Sequence, residues 1–157
     1  MLTPVTVGRA NDVYASLPQA LGLELGMVVQ EPNTGDFRQL LQADPLAAAP
    51  LKVGGALKLT GDYVVDMTAA LGDIVYAVSD LAGVVIPAGS YFWATIQGNM
   101  NPLVADGVSA DELLVASAVA GVLDTFDLTP AVFQNNNLLC RAANISGVPA
   151  QRAGIIL

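Results

Sequence analysis

Fourteen carboxylates, one cysteine and no histidine are what this 157-residue sequence offers to chemistry. Without histidine, His-assisted serine or cysteine triads and His-ligated metal centres are excluded. Asp106, Asp111 and Glu112 cluster in sequence, as do Asp124 and Asp127, and closely spaced oxygen ligands can hold Ca²⁺. Neither group has the alternating spacing, turn glycine and terminal Glu of an EF-hand loop, so both read as solvated turn carboxylates with no metal. A glycosidase pair needs two carboxyls facing each other across a cleft, and the spacing singles out no such pair. Cys140, within NLLCRAANI, has no intrachain disulfide partner and reads as a small buried hydrophobe. Gly54, Gly55, Gly83 and Gly89 belong to no GxGxxG or Walker-type loop, which leaves no nucleotide cofactor to expect. Tyr91 and Trp93 lie on one face of an apolar segment. They could stack on a sugar or a base, but core or subunit-interface packing is the better reading for both. The run Asn135 to Asn137 reads as an exposed, side-chain-capped turn. No catalytic set emerges, and the expectation is that the chain is not an enzyme.

The elements available to position these residues are short. The chain is 54% hydrophobic, with a mean hydropathy of +0.55, drawn largely from Ala, Val, Leu and Gly rather than aromatics. No stretch reaches the roughly 20 apolar residues that cross a bilayer, and no basic segment leads into an apolar one at the N-terminus. No membrane partner and no signal peptide are therefore expected. The apolar excess is expected to lie inside one domain or between subunits of a homo-oligomer. Six cations against fourteen acids give a formal charge of −8. The cations (Arg9, Arg38, Lys52, Lys58, Arg141 and Arg152) are scattered singly, which argues against direct nucleic-acid binding.

Residues 1–50 are rich in breakers and read as an extended N-terminal arm with a hairpin. In that hairpin GMVVQ and DFRQLLQ flank the turn Glu31-Pro32-Asn33-Thr34-Gly35, and Arg38 is a candidate interface or core residue, read as a contact made by the arm. Residues 51–157 read as a compact β-domain. GGALKLTG and YVVDMT pair around Thr60-Gly61-Asp62, and DIVYAVS, apolar on both faces, reads as a central or interface strand. After the turn Pro87-Ala88-Gly89, SYFWATIQG is the clearest strand, with Tyr91, Trp93, Thr95 and Gln97 on one face and Phe92, Ala94 and Ile96 on the other. The segment SADELLVASAVAG fits two templates. Ser109 and Glu112 match a helical capping box, while ELLVAS and VLDTF around AVAG match a strand, turn and strand. The tail reads as a strand LLCRAANI, a turn at Ser146-Gly147, and a closing strand AGIIL. The fold class is mainly β, a small β-barrel or β-sandwich with an extended arm.

The stretch from Gly72 to Asp127 resembles small capsid decoration, or cement, proteins of tailed bacteriophages. The likeness rests on Ala88, Gly89, Ser90, Tyr91, Phe92, Trp93 and Gly98, and on Asp106 to Asp111, Leu113 to Val115, Ser117 and Ala120 to Val122. It is weaker at Cys140-Arg141-Ala142, where a Gly-Arg-Ala is expected. The resemblance implies strands rather than a helix over ELLVAS. It also implies a homotrimer or similar oligomer that decorates and stabilises the capsid by bridging major capsid protein subunits. Such a protein would be made in the host cytoplasm and carried on the outer surface of the virion. Two alternatives stand beside it. One is another minor virion component, either a head fibre base or tail-associated. The other is a small-ligand or carbohydrate-binding β-domain that uses Tyr91 and Trp93.

Overall fold

A computed structural model describes residues 11–126 and the strand segments Cys140–Ala142, Ala150–Gln151 and Gly154–Ile156. The architecture is mainly β: one 3₁₀ turn, Gln19–Leu21, is the sole helical element among the described residues. The first sheet contains β1 (Val13–Tyr14), β2 (Val28–Gln30), β3 (Phe37–Ala43), β4 (Ala56–Gly61), β5 (Val64–Met67), β6 (Ala77–Val78) and β7 (Tyr91–Gln97). Its order is β1-β7-β6-β4-β5-β3-β2, and β3 also pairs with β7. That extra pairing closes β3, β5, β4, β6 and β7 into a five-stranded barrel and leaves β1 and β2 as additions. Of the two β architectures the sequence allowed, a barrel is the one formed. The second sheet contains β8 (Asn99–Met100), β9 (Leu103–Val104), β10 (Leu113–Ala116), β11 (Leu123–Thr125), β12 (Cys140–Ala142), β13 (Ala150–Gln151) and β14 (Gly154–Ile156), in the order β13-β9-β11-β10-β12-β14-β8.

The pleat of β7 explains its dominance. Phe92 and Ala94 point into the barrel, where they meet Leu41, Ala43, Leu51, Leu57, Val65 and Ile86. Trp93 points the other way, onto Leu23, Val29 and Leu40 beneath β2 and the 3₁₀ turn. A strand buried on both faces needs no polar alternation. A third cluster joins the two sheets: Ala56 and Val75 from the barrel side pack with Val104, Val108, Leu114, Ala116 and Leu123. Gly121 sits at this seam with φ 73, and a Cβ there would lie 3.3 Å from the Gly55 Cα and 3.1 Å from the Met67 sulfur. Its amide donates to the Thr68 carbonyl and its own carbonyl accepts from the Ala56 amide, which stitches the sheets by backbone alone.

Several expectations need correction. The hairpin expected within residues 1–50 is present, with Val29 opposite Arg38, but it is not part of a free arm. Its second strand, β3, pairs with β7 from Phe37 to Gln42 and contributes the fully buried Leu40, Leu41 and Ala43. Residues 37–43 are thus wall of the barrel with β2 paired to their outer edge, and residues 1–10 lie outside the described residues. The segment DIVYAVS forms strand only at Ala77–Val78, and Ile74 is 52% exposed. The turn expected at residues 60–62 falls one residue later, with Tyr63 in the left-handed region at φ 59. Over residues 109–125 the strand template holds: Leu114 faces Thr125 and Ala116 faces Leu123. In the tail, Cys140–Ala142 pairs with Gly154–Ile156, as two closing strands should. The Asn135–Asn137 turn and the Ser146-Gly147 turn lie outside the described residues.

Candidate functional site

The residues singled out for chemistry are not brought together. Trp93 is 1% exposed and belongs to the core, so its face is not free to stack on a ligand. Its Nε1 is the one buried side-chain polar atom without a hydrogen-bond partner among the described residues. Tyr91 is half-buried against the same cluster. Asp106, Asp111 and Asp124 are exposed, and Asp127 lies outside the described residues. Glu112 is a local brace: its Oε2 accepts from the Ser109 amide at 2.6 Å and the Thr125 hydroxyl at 2.9 Å. Among the described residues no group of three or more His, Cys, Asp or Glu is placed to hold a metal ion.

Arg38 carries the unexpected geometry. It is 9% exposed, on the outer face of β3 beside an irregularity in the register with β7, and so is not an exposed arm contact. Its Nη1 donates to the Thr95 hydroxyl at 2.9 Å, and its Nη2 pairs with Glu31 at 2.5 Å, with Asp36 at 3.8 Å. Thr95 in turn donates to Asp80 at 2.8 Å. A polar chain therefore runs Glu31, Arg38, Thr95, Asp80 across the outside of the barrel. It borders an open cleft of about 410 Å³ lined by Arg38, Asp80, Leu81, Asn99, Met100 and Asn101.

The far wall of this cleft is the crossover from the barrel to the second sheet, and two carboxylates hold it. Asp36 accepts from the Asn99 amide and Asp80 from the Asn101 amide, each at 2.9 Å. These amides belong to alternate residues, so both point to the same edge of the strand. Met100 and Asn99 also pair with Gly154 and Ile155 of β14. Close approach of Asp36 to the crossover requires Gly98, whose φ is 109 and whose added Cβ would sit 2.0 Å from Asp36 Oδ1. Asp36, Asp80, Asn99 and Asn101 were not predicted from sequence. The available signals were an acid two residues after a buried apolar strand and a glycine directly before Asn99.

Burial pushes the Asp80 carboxyl above its ordinary value, against the lowering effect of the Asn101 amide, the Thr95 hydroxyl and the Arg38 charge. A folded value above the unfolded one means stability is greatest below the ordinary value of 3.8 and is lost as pH rises through the folded pKa. Asn keeps one acceptor oxygen for two donors, so the diagnostic quantity is the pH dependence: the wild type is expected to lose Tm relative to Asp80→Asn between pH 3 and pH 7, as read by thermal melts at both pH values. A difference that stays constant, or that grows in favour of the wild type as pH rises, would contradict this.

Asp73 has the opposite sign. Burial raises it, but the Ala69 amide, the Lys58 side chain and charge, and the Ala70 amide together outweigh burial and hold it below 3.8. Its Oδ2 accepts from Lys58 at 2.9 Å, Ala69 at 2.7 Å and Ala70 at 2.9 Å. That stabilisation is present above the ordinary carboxylate value and is lost as pH falls through the folded value. Asp73→Asn should lower Tm at pH 7 and converge on the wild type in strong acid; parallel melting curves across pH would refute it.

No family model matches the chain, and no curated protein matches it. Among solved structures, the head fibre gp8.5 N base of bacteriophage phi29 matches with a TM-score of 0.56 and 12% sequence identity, covering 83% of this chain and 95% of that one. The two share a fold. At that identity side-chain chemistry does not transfer, so the cleft described above is argued from this chain's residues alone.

Proposed function

We propose that this chain is a structural protein of a phage virion, carried on the outer surface of the capsid and attached to the major capsid protein. The observation that carries this reading is the fold it shares, over most of both chains, with the base domain of a phage head fibre. The surface is compatible with it. Leu46, Val84, Val85 and Val119 are large apolar side chains that are each more than half exposed, at 92%, 53%, 59% and 57%. Apolar side chains of that exposure are what contacts with other subunits cover. Decoration would work mechanically: a protein that bridges neighbouring capsid subunits adds buried area and avidity at junctions loaded by packaged DNA. A homotrimer is the assembly proposed for this role.

The fold likeness also supports a second reading, in which the chain forms the base of a head fibre rather than a cement between capsomers. Both readings make attachment to the head the primary property. The test is co-sedimentation of the purified protein with particles that lack it, combined with light scattering of the free protein. Saturable retention supports attachment, and a stoichiometry matching lattice junctions favours cement over a fibre base. No retention by the head, with a monomer in solution, would contradict the proposal.

A further inference from the structure

The cleft beside Arg38 is lined by a carboxylate, Asp80, that the described basic residues do not pair directly. Asp80 accepts from two neutral donors, the Thr95 hydroxyl at 2.8 Å and the Asn101 amide at 2.9 Å. Arg38 reaches it only through the Thr95 hydroxyl, because its own Nη2 pairs with Glu31 and has Asp36 at 3.8 Å. Three carboxylates thus share one guanidinium, and of the three Asp80 lines the cleft. The other described basic side chains are engaged elsewhere: Lys52 donates to the Ala120 carbonyl at 2.8 Å and Lys58 to Asp73 at 2.9 Å.

We propose that this cleft receives a lysine or arginine side chain of a partner subunit, its cationic head on Asp80 and its aliphatic stem along Leu81 and Met100. Each Asp80 oxygen has a lone pair beyond the one its present donor uses, so a further donor can be accepted without breaking the existing bonds. The lining supplies both surfaces such a side chain needs, apolar for the stem and polar for the head. The volume of about 410 Å³ admits a long side chain. Asp80 is the one carboxylate in the lining and the Arg38 guanidinium is already paired with Glu31, so an anion would meet a charge of its own sign, and a neutral ligand would leave the Asp80 charge unmatched. At longer range, the net charge of −8 steers a cationic patch toward this chain.

The inference deepens the virion reading and rests on it for the partner's identity, so two readouts are needed. The first is an NMR titration of the full chain with methylguanidinium chloride, with sodium chloride as control. Saturable shifts of the Asn99 and Asn101 amides in the wild type, and none in Asp80→Asn, are expected. The second is particle co-sedimentation, in which Asp80→Asn should weaken retention about tenfold while keeping the wild-type fold by circular dichroism. Equal shifts in both proteins would overturn the cation site. Shifts confined to the wild type with undiminished retention of Asp80→Asn would overturn its role in docking. A wild type that binds the probe but never binds particles would contradict the virion reading and leave the cleft's preference for cations standing.

Discussion

Replacing Trp93 with Ala is expected to cost about 3–5 kcal/mol of folding stability, the usual range for emptying a fully buried aromatic site. The indole is 1% exposed and packs on Leu23, Val29 and Leu40, which join β3, β7 and the layer formed by β2 and the 3₁₀ turn. Those neighbours come from separate segments, so collapse into the vacated space would have to move strands rather than rotamers. Trp93→Phe separates volume from polarity. It keeps most of the apolar contact and removes an Nε1–H that has no partner among the described residues, an unmet donor worth about 1–3 kcal/mol. Urea unfolding should therefore rank the wild type and Trp93→Phe close together and Trp93→Ala far below. A Trp93→Ala midpoint within experimental error of the wild type would place this ring outside the core.

Gly98→Ala is expected to be comparably damaging, although it adds a single methyl group. At φ 109 the backbone is in a region that L side chains rarely adopt, which alone costs about 1–3 kcal/mol. The new Cβ would also sit 2.0 Å from Asp36 Oδ1, and Asp36 is only 5% exposed. Moving that carboxylate releases the Asn99 amide and disturbs its approach to Arg38, adding about 1–3 kcal/mol for a buried polar group left unsatisfied. Gly72→Ala is the control, because its Cβ meets nothing within 4 Å and its φ is ordinary. Chemical denaturation of the pair should show a large loss for Gly98→Ala and almost none for Gly72→Ala. Equal stabilities would mean that the crossover is not clamped as described.

How much of this was readable in advance depended on whether the determining contacts were local. β7 was legible because its alternation, its aromatics and the flanking turns all agree, and the Ser90 amide does donate to the Pro87 carbonyl across the expected turn. Residues 109–116 were ambiguous for a physical reason. Glu112 does accept from the Ser109 amide as a capping box would, but Asp111 sits at φ 66, which breaks the helical path and sends Leu113 onward as strand. The breakers in residues 1–50 hid the core role of Leu40, Leu41 and Ala43, since burial on both faces erases the alternation that marks a strand. Arg38 was noticed without its partners. Its partners Thr95 and, through it, Asp80 arrive from β7 and the end of β6, and no local pattern records such a meeting. The cleft escaped sequence reading for the same reason.

Cryo-electron microscopy of the phage particle proposed to carry this chain tests the central claim most directly. The account predicts a five-stranded barrel with its second sheet, resolved on the outside of the capsid and touching the major capsid protein. Its position, between capsomers or beneath a projecting fibre, would separate cement from fibre base. A fully resolved head without density for this chain would contradict the account.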